Sequence, residues 1–352
     1  MPAAVLHVLA RAELAGTGIA RIVASLARNI DPGRYRIEAL FLSGPGALNR
    51  ELRSAGVRSA SVGWLRGVRD PIGAARFGYA VKRGSFEIVH LHSGGRLPKW
   101  LAHHAGGARV VTHLHGVADT VAVGRAHAII ATSESVARLV PGRRVHVVYP
   151  GIDPPLPYPL PETPPGIIGF AGRLTEAKGV FELIRAHALI TRRLPEIRLE
   201  IAGDGQDRRR AERLVDELGT SSRVTFLGWR SEIAALHARW AVFALPSRDE
   251  GFGISGLEAM LSGVPVVGTE VGGVPELLDC GRAGVLVPVR DHVSLATGIS
   301  DLLVDDDRRR RLGQAGRRRA LEHFSATTMS RKVTEIYDRL MEADSPLPPP
   351  PG

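Results

Sequence analysis

The chain has 352 residues, 44% of them hydrophobic, a single cysteine and a formal net charge of +10. That length suits two ordinary domains, each with its own core, rather than one unusually large domain. No stretch reaches the roughly 18 uninterrupted apolar residues of a membrane span, and the N-terminus lacks the basic-then-apolar pattern of a secretory signal, so a soluble, cytoplasmic protein is expected. The lone Cys280 excludes an internal disulfide and a Cys-rich metal site. With 5% aromatic residues to stack on bases and no recognisable binding module, nucleic acid is the weakest of the partner readings.

The charge is unevenly placed. Residues 1–150 hold 20 Lys+Arg against 8 Asp+Glu, whereas residues 151–352 hold 26 against 28. A basic first half is either a merely solvated surface or the mark of an anionic partner: a membrane surface, an acidic glycan or a lipid-phosphate acceptor.

From the N-terminus, short apolar runs alternate with helical patterns: Val5 to Leu9, Ile37 to Leu42, Ile88 to Leu91, Val110 to Leu114, Ala128 to Ala131 and Val145 to Val148. The first run leads into Gly16-Thr17-Gly18-Ile19-Ala20-Arg21, with Glu38 about twenty residues on, a partial mimic of a dinucleotide fingerprint. Arg21 stands where the third glycine belongs and the turn begins several residues after the strand, so an NAD site is disfavoured. Histidines gather at two strand ends, His90-Leu91-His92 and Thr112-His113-Leu114-His115-Gly116. Alternate residues of a strand share a face, so a four-histidine zinc site is conceivable if the two ends coincide. Without acidic or cysteine partners it ranks below a structural role. Ser133, after the run ending at Ala131, suits an N-cap.

Between Pro150 and Pro165 lie eight prolines in sixteen residues, a stretch that can neither continue a helix nor occupy a central strand. It reads as a semi-rigid linker over 151–165, separating a domain over 1–150 from one over 166–325. A helix over 326–344 is expected to pack back on the first domain, and the Pro-rich tail 345–352 to be disordered.

Beyond the linker the alternation resumes: Ile167 to Ala171, Leu199 to Ala202, Val224 to Leu227, Trp240 to Leu245, Val264 to Val267 and Gly284 to Val287. Such alternation predicts an α/β protein with two doubly wound, Rossmann-like parallel sheets facing each other across a cleft. Ligands in open α/β sheets bind beyond the carboxyl ends of the strands, and three features stand there.

The first is Gly169 to Gly179, a strand running into a turn that presents Arg173 and Lys178, cations suited to a diphosphate as a fork and a point charge. Only four of the 46 basic residues are lysine, so Lys178 is unlike an arbitrary surface cation. The second is Glu250-Gly251-Phe252-Gly253-Ile254-Ser255-Gly256-Leu257-Glu258. Its glycines allow close backbone approach, and a helix beginning near Ile254 aims free N–H groups at a phosphate. Glu250 and Glu258 suit sugar and ribose hydroxyls, which are donors. The third, Gly272-Gly273-Val274-Pro275-Glu276, is another glycine turn before a helix. Gly203-Asp204-Gly205 reads better as a structural turn, and Asp305-Asp306-Asp307 as a solvated helix start.

In that order and spacing, these motifs resemble the donor domain of family 4 glycosyltransferases, group 1 type, with a looser resemblance before the linker. The resemblance implies the GT-B fold and retaining transfer of a sugar from a nucleotide-diphosphate sugar to an acceptor hydroxyl, in polysaccharide or glycolipid assembly. It implies that Arg173 and Lys178 hold the diphosphate with backbone amides from Gly253 to Gly256, that Glu250 contacts the transferred sugar and Glu258 the ribose. The same carry-over places Gly18, Gly172, Gly251, Phe252, Gly253, Ile254 and Ser255 around the donor. His115, with His113 as rival, meets the donor sugar or its leaving group. The glycine turn departs from the family's usual Gly-Gly-x-x-Arg at Thr17, and Pro150 replaces the asparagine usual in the hinge.

No carboxylate of the first half is marked as a nucleophile, which fits the family's front-face route, in which the departing diphosphate takes the acceptor's proton. Neither metal nor cofactor is required on this reading. The partners expected are a nucleotide-sugar donor and a glycan or lipid-linked acceptor, with attachment to the inner membrane face as an extension of the basic surface. The alternatives are an epimerase or phosphorylase on the same fold, and a nucleotide-sugar-binding protein without catalysis.

Overall fold

In the computed structural model, the described residues are 1–9, 18–44, 46–61, 63, 71–92, 101–102, 104–116, 123, 126–154, 166–230 and 233–342. The chain divides into two compact units, Met1–Asp153 with Ser325–Gly352, and Pro154–Phe324. Residues 151–153 belong to the first unit. Gly151 donates its N–H to Met329 Sδ at 3.2 Å, and Ile152 bridges to Ser325. The Pro-rich stretch from Pro155 to Pro165 and the tail from Ala343 lie outside the described residues.

The first unit holds β1 (Ala3–Leu9), α1 (Gly18–Asn29), β2 (Tyr35–Phe41), α2 (Ala47–Ser54), β3 (Arg58–Ser61), α3 (Pro71–Arg83), β4 (Ile88–His92), β5 (Arg109–Leu114), β6 (Ala128–Ala131), α4 (Glu134–Ala137) and β7 (Val145–Val147). The strands form one parallel sheet in the order β3-β2-β1-β4-β5-β6-β7. β1 is buried from Ala4 to Leu9, as both-face covering requires. Val23 of α1 and Leu52 of α2 pack with Leu9 and Phe41 on one side, and Phe77 of α3 packs with Val8, Leu91 and Val110 on the other. Ser133 caps α4, its hydroxyl accepting from Val136 N–H at 3.1 Å.

The second unit holds β8 (Ile167–Ala171), α5 (Val180–Ile190), β9 (Arg198–Ala202), α6 (Arg208–Glu217), β10 (Val224–Gly228), α7 (Ala234–His237), β11 (Val242–Leu245), α8 (Ile254–Leu261), β12 (Val266–Thr269), α9 (Val274–Leu277), β13 (Val285–Val287), α10 (His292–Val304) and α11 (Asp306–His323). Its parallel sheet runs β10-β9-β8-β11-β12-β13, the same winding as the first. The last helix, α12 (Ala326–Glu342), returns to the first unit and packs on α1. Its Asp338 accepts from Arg34 and from the Tyr35 hydroxyl, each at 2.7 Å. Asp305 caps α11, and Asp306 and Asp307 pair with Arg309 and Arg310 of the same helix.

In both sheets the winding reverses beside the first strand, between β1 and β4 and between β8 and β11. Such switch points open a crevice at the carboxyl ends of the strands, and the polar residues singled out above stand at those two places.

Candidate functional site

In the second unit, β8 ends at Ala171 and β11 at Leu245, and the two following turns carry the basic and acidic groups. Gly172 donates to Ala202 O at 3.0 Å and Leu174 N–H to Asp204 O at 2.9 Å, which ties the turn after β8 to the turn after β9. Gly203 makes that approach feasible: at φ +139° its added Cβ would stand 1.9 Å from Gly172 O. Asp204 is occupied by its own turn, accepting from Gly205 N–H at 2.8 Å and pairing with Arg208 at 3.3 Å.

A 3-10 turn, Glu176–Lys178, ends at Gly179 in the left-handed region at φ +69°. Lys178 Nζ then lies 2.7 Å from Glu250 Oε2, which also accepts from Ser247 Oγ at 3.1 Å. Both side chains are mostly sheltered, 24% and 13% exposed. Arg248, next to Ser247, ties the two turns together a second time. Its N–H donates to Ala177 O at 2.8 Å and its guanidinium pairs with Glu176 and Glu182. Arg173 is exposed on the same turn.

Gly253 precedes α8 at φ +103°, and at Gly253 and Gly256 an added Cβ would come within 2.9 Å of Leu245 Cδ2. α8 therefore begins hard against the end of β11. Its first turn carries the N–H groups and partial positive charge of a helix start, and a Cβ at Gly253 would lie 3.8 Å from Cγ of Glu250, the partner of Lys178. Gly251 and Phe252 are buried, Ile254 and Ser255 half-buried, and Glu258 is half-buried one turn into the helix. Gly272 accepts the closest approach among the described glycines: its Cβ would lie 1.6 Å from Glu250 O, so the glycine turn before α9 seats the backbone of Glu250.

The first unit contains a second cluster. His7 on β1 is in register with His90 on β4, and His92 ends that strand. His113 on β5 and His115 just beyond it complete five imidazoles stacked side by side, with ring centroids of neighbours 4.3 to 5.3 Å apart. Burial lowers the pKa of His7 and His115 to about 3. Burial first, and then the charges of neighbouring histidines, lower those of His90, His92 and His113. The two strand ends on which a zinc site depended do coincide, and His7-His90-His92 and His92-His113-His115 each bring three ligand atoms within 4.8 Å. His7 was not legible as a member, nor was Tyr337 of α12, whose hydroxyl sits 2.5 Å from His90 Nδ1.

Gly18 opens α1, while Gly16 and Thr17 lie outside the described residues. Glu38 is in the middle of β2 and pairs with Arg36 at 3.2 Å, not at the strand end where a dinucleotide ribose would need it.

Two doubly wound parallel sheets, each with polar residues at its switch point, make up the GT-B architecture. The family model for glycosyl transferases group 1 matches residues 158–319, and that for glycosyltransferase family 4 matches residues 16–155. The chain is 31% identical over 290 residues to the alpha-maltose-1-phosphate synthase of Mycolicibacterium smegmatis, covering 72% of this chain and 73% of that protein. It is 36% identical over 180 residues to the GDP-mannose-dependent alpha-(1-6)-phosphatidylinositol monomannoside mannosyltransferase of the same organism, the match covering 49% of this chain and about half, 47%, of that enzyme. The structure of Anabaena HepE in complex with UDP and glucose has the same fold, with a TM-score of 0.80 at 20% identity, covering 96% of this chain and 100% of the other. The chain belongs to the group 1, family 4 glycosyltransferases.

Proposed function

We propose that this glycosyltransferase takes its sugar from a nucleoside-diphosphate donor, retains the anomeric configuration and requires neither metal nor cofactor. The observation that carries the reading is the convergence of Lys178, Glu250 and the N-terminus of α8 at the switch point of the second sheet. Lys178, Arg173 and the amides from Gly253 to Gly256 neutralise the diphosphate, a task that otherwise falls to a divalent ion. Gly172, Gly251, Phe252, Ile254 and Ser255 line the donor, and the family resemblance adds Gly18, at the start of α1, to the donor-binding residues. Glu250 accepts from a hydroxyl of the transferred sugar, Glu258 from the ribose, and His115 contacts the sugar or its leaving group.

The reaction follows from these roles. The bond between the anomeric carbon and the diphosphate oxygen breaks as the acceptor oxygen bonds to the same face of that carbon. The departing diphosphate oxygen takes the acceptor's proton, so no protein carboxylate need act as nucleophile. The names of the relatives, which include a GDP-mannose-dependent enzyme and a UDP-bound one, support a nucleotide sugar without choosing the base.

For the acceptor, the basic balance of residues 1–150 supports an acidic glycan or a lipid-linked phosphate, with an anionic membrane surface as the place of work. Among the described residues no helix is long and apolar enough to cross a membrane. Proton NMR of UDP-glucose and GDP-mannose hydrolysis in EDTA tests the chemistry without an acceptor. Retention releases the α-anomer first from either α-linked donor; release of the β-anomer first, or activity only when a divalent ion is restored, overturns it.

A further inference from the structure

The four buried histidines, the half-buried His115 and Tyr337 are joined in an order. His113 Nδ1 lies 3.2 Å from His90 Nε2, and His90 Nδ1 lies 2.5 Å from Tyr337 Oη. Tyr337 Oη lies 3.4 Å from His7 Nε2, the longest link, and His7 Nδ1 lies 2.7 Å from His92 Nε2. His92 Nδ1 lies 3.0 Å from His115 Nε2. Each of His7, His90 and His92 therefore uses its two nitrogens on two different neighbours. Rings that hold one metal ion instead converge single nitrogens on a common point.

A neutral imidazole has one N–H and one lone pair, and a phenol can donate once while accepting, so the six groups can be satisfied head to tail in only two senses. The pKa of every ring is depressed by burial, which keeps all five neutral. One atom chooses the sense. His113 Nε2 is buried without a hydrogen-bond partner. If the protons ran toward His113, that atom would be an orphaned buried N–H, which is rarer than an unused acceptor. If they run away from it, the atom is a bare lone pair.

We propose that His113, His90, Tyr337, His7 and His92 form a proton-ordered hydrogen-bond file that fixes His115 as the Nδ1–H tautomer, making them positioning residues for glycosyl transfer. Each ring carries its proton on Nδ1, the phenol donates to His7, and His115 accepts at Nε2 from His92. Whatever faces His115 Nδ1 then meets a donor, which suits a sugar hydroxyl oxygen or a departing phosphate oxygen and not a hydroxyl proton. The catalytic half of this inference rests on the proposed contact of His115 with the donor.

Long-range proton-nitrogen correlation spectra of protein labelled with 15N-histidine read the tautomers directly at pH 8. The file predicts five neutral Nδ1–H rings. Nε2–H rings among the five, or about one zinc per chain by elemental analysis of the purified protein, overturn it, and this holds even where variants do not fold. Tyr337→Phe keeps the ring against Tyr35 and removes the central link. It is expected to give mixed tautomers at His7, His92 and His115 and to lower kcat for UDP release from UDP-glucose, or for GDP release from GDP-mannose, about tenfold, with KM within twofold. Unchanged tautomers or unchanged kcat in Tyr337→Phe overturns the positioning claim. His115→Ala separates the two failures. If it leaves kcat intact, the donor contact is wrong, whereas its loss of activity beside an active Tyr337→Phe condemns the file's role alone.

Discussion

Lys178 Nζ and Glu250 Oε2 lie 2.7 Å apart across 72 residues of sequence, joining the turn after β8 to the turn after β11. The pair is mostly sheltered, so the cost of desolvating the two charges offsets much of their attraction and its net contribution to stability is small. Its consequence is geometric: the cation and the carboxylate hold each other at the mouth of one switch point. Glu250→Gln keeps the shape and removes the charge. It should leave nucleotide affinity within about threefold and lower turnover on the order of 100-fold, the scale of a group acting at the reacting centre. Calorimetric titration beside initial rates checks this; equal losses in both would assign Glu250 to the nucleotide instead.

Arg248 ties the same two turns together, and its partner Glu182 is 7% exposed. Arg248→Ala strands that carboxylate, and a buried charge left without its partner costs about 3 kcal/mol. Urea unfolding should show that loss, and Arg248→Ala with Glu182→Gln should recover most of it. Independent, additive losses in the double variant would contradict the pairing.

Gly272 is left-handed at φ +53° and faces the Glu250 carbonyl oxygen at a distance no Cβ tolerates. Gly272→Ala should cost more than the roughly 1 kcal/mol of an ordinary glycine substitution and displace Glu250. KM for the donor should rise along with the drop in melting temperature. A variant with wild-type kinetics would show that the turn does not seat the carboxylate.

The histidine cluster predicts acid sensitivity. Folding depresses the histidine pKa values, to about 3 at His7 and His115, whereas an unfolded histidine titrates near 6.5. Between those values the unfolded chain binds protons that the folded chain does not. Stability is therefore complete above about pH 6.5 and falls as pH drops, by about 1.4 kcal/mol per pH unit for each such histidine. Burial shifts His90, His92 and His113 in the same direction, so the urea midpoint of the first unit should fall steadily as pH drops from about 7.5 to about 5.5. His113→Gln should flatten the slope by one proton. Urea midpoints that do not change between pH 7.5 and 5.5 would contradict the buried neutral cluster.

The strands of the second sheet were legible as short, mainly apolar runs, most fully in β8, β11 and β12, which are buried almost throughout. β3 was not. Arg58-Ser59-Ala60-Ser61 is an edge strand of alternating half-buried and exposed residues, with no apolar run to reveal it. The turn residues Lys178, Glu250 and Gly253 could be picked out singly by their chemistry, but their pairing depends on which strands are neighbours in the sheet. The histidine file shows the same limit. His90-x-His92 and His113-x-His115 display their alternation locally, whereas His7 joins them only through the register of β1 on β4, and Tyr337 through a helix that returns from the far end of the chain.

The central claim is a nucleoside-diphosphate site built on Lys178, and calorimetric titration of UDP, GDP, ADP and NAD into the wild type and Lys178→Ala tests it most directly. The account predicts that one nucleoside diphosphate binds the wild type and loses at least tenfold in affinity in the variant, about 1.4 kcal/mol, while both proteins unfold at similar urea concentrations. Binding of NAD in preference to the diphosphates, or equal diphosphate affinity in the two proteins, would contradict it.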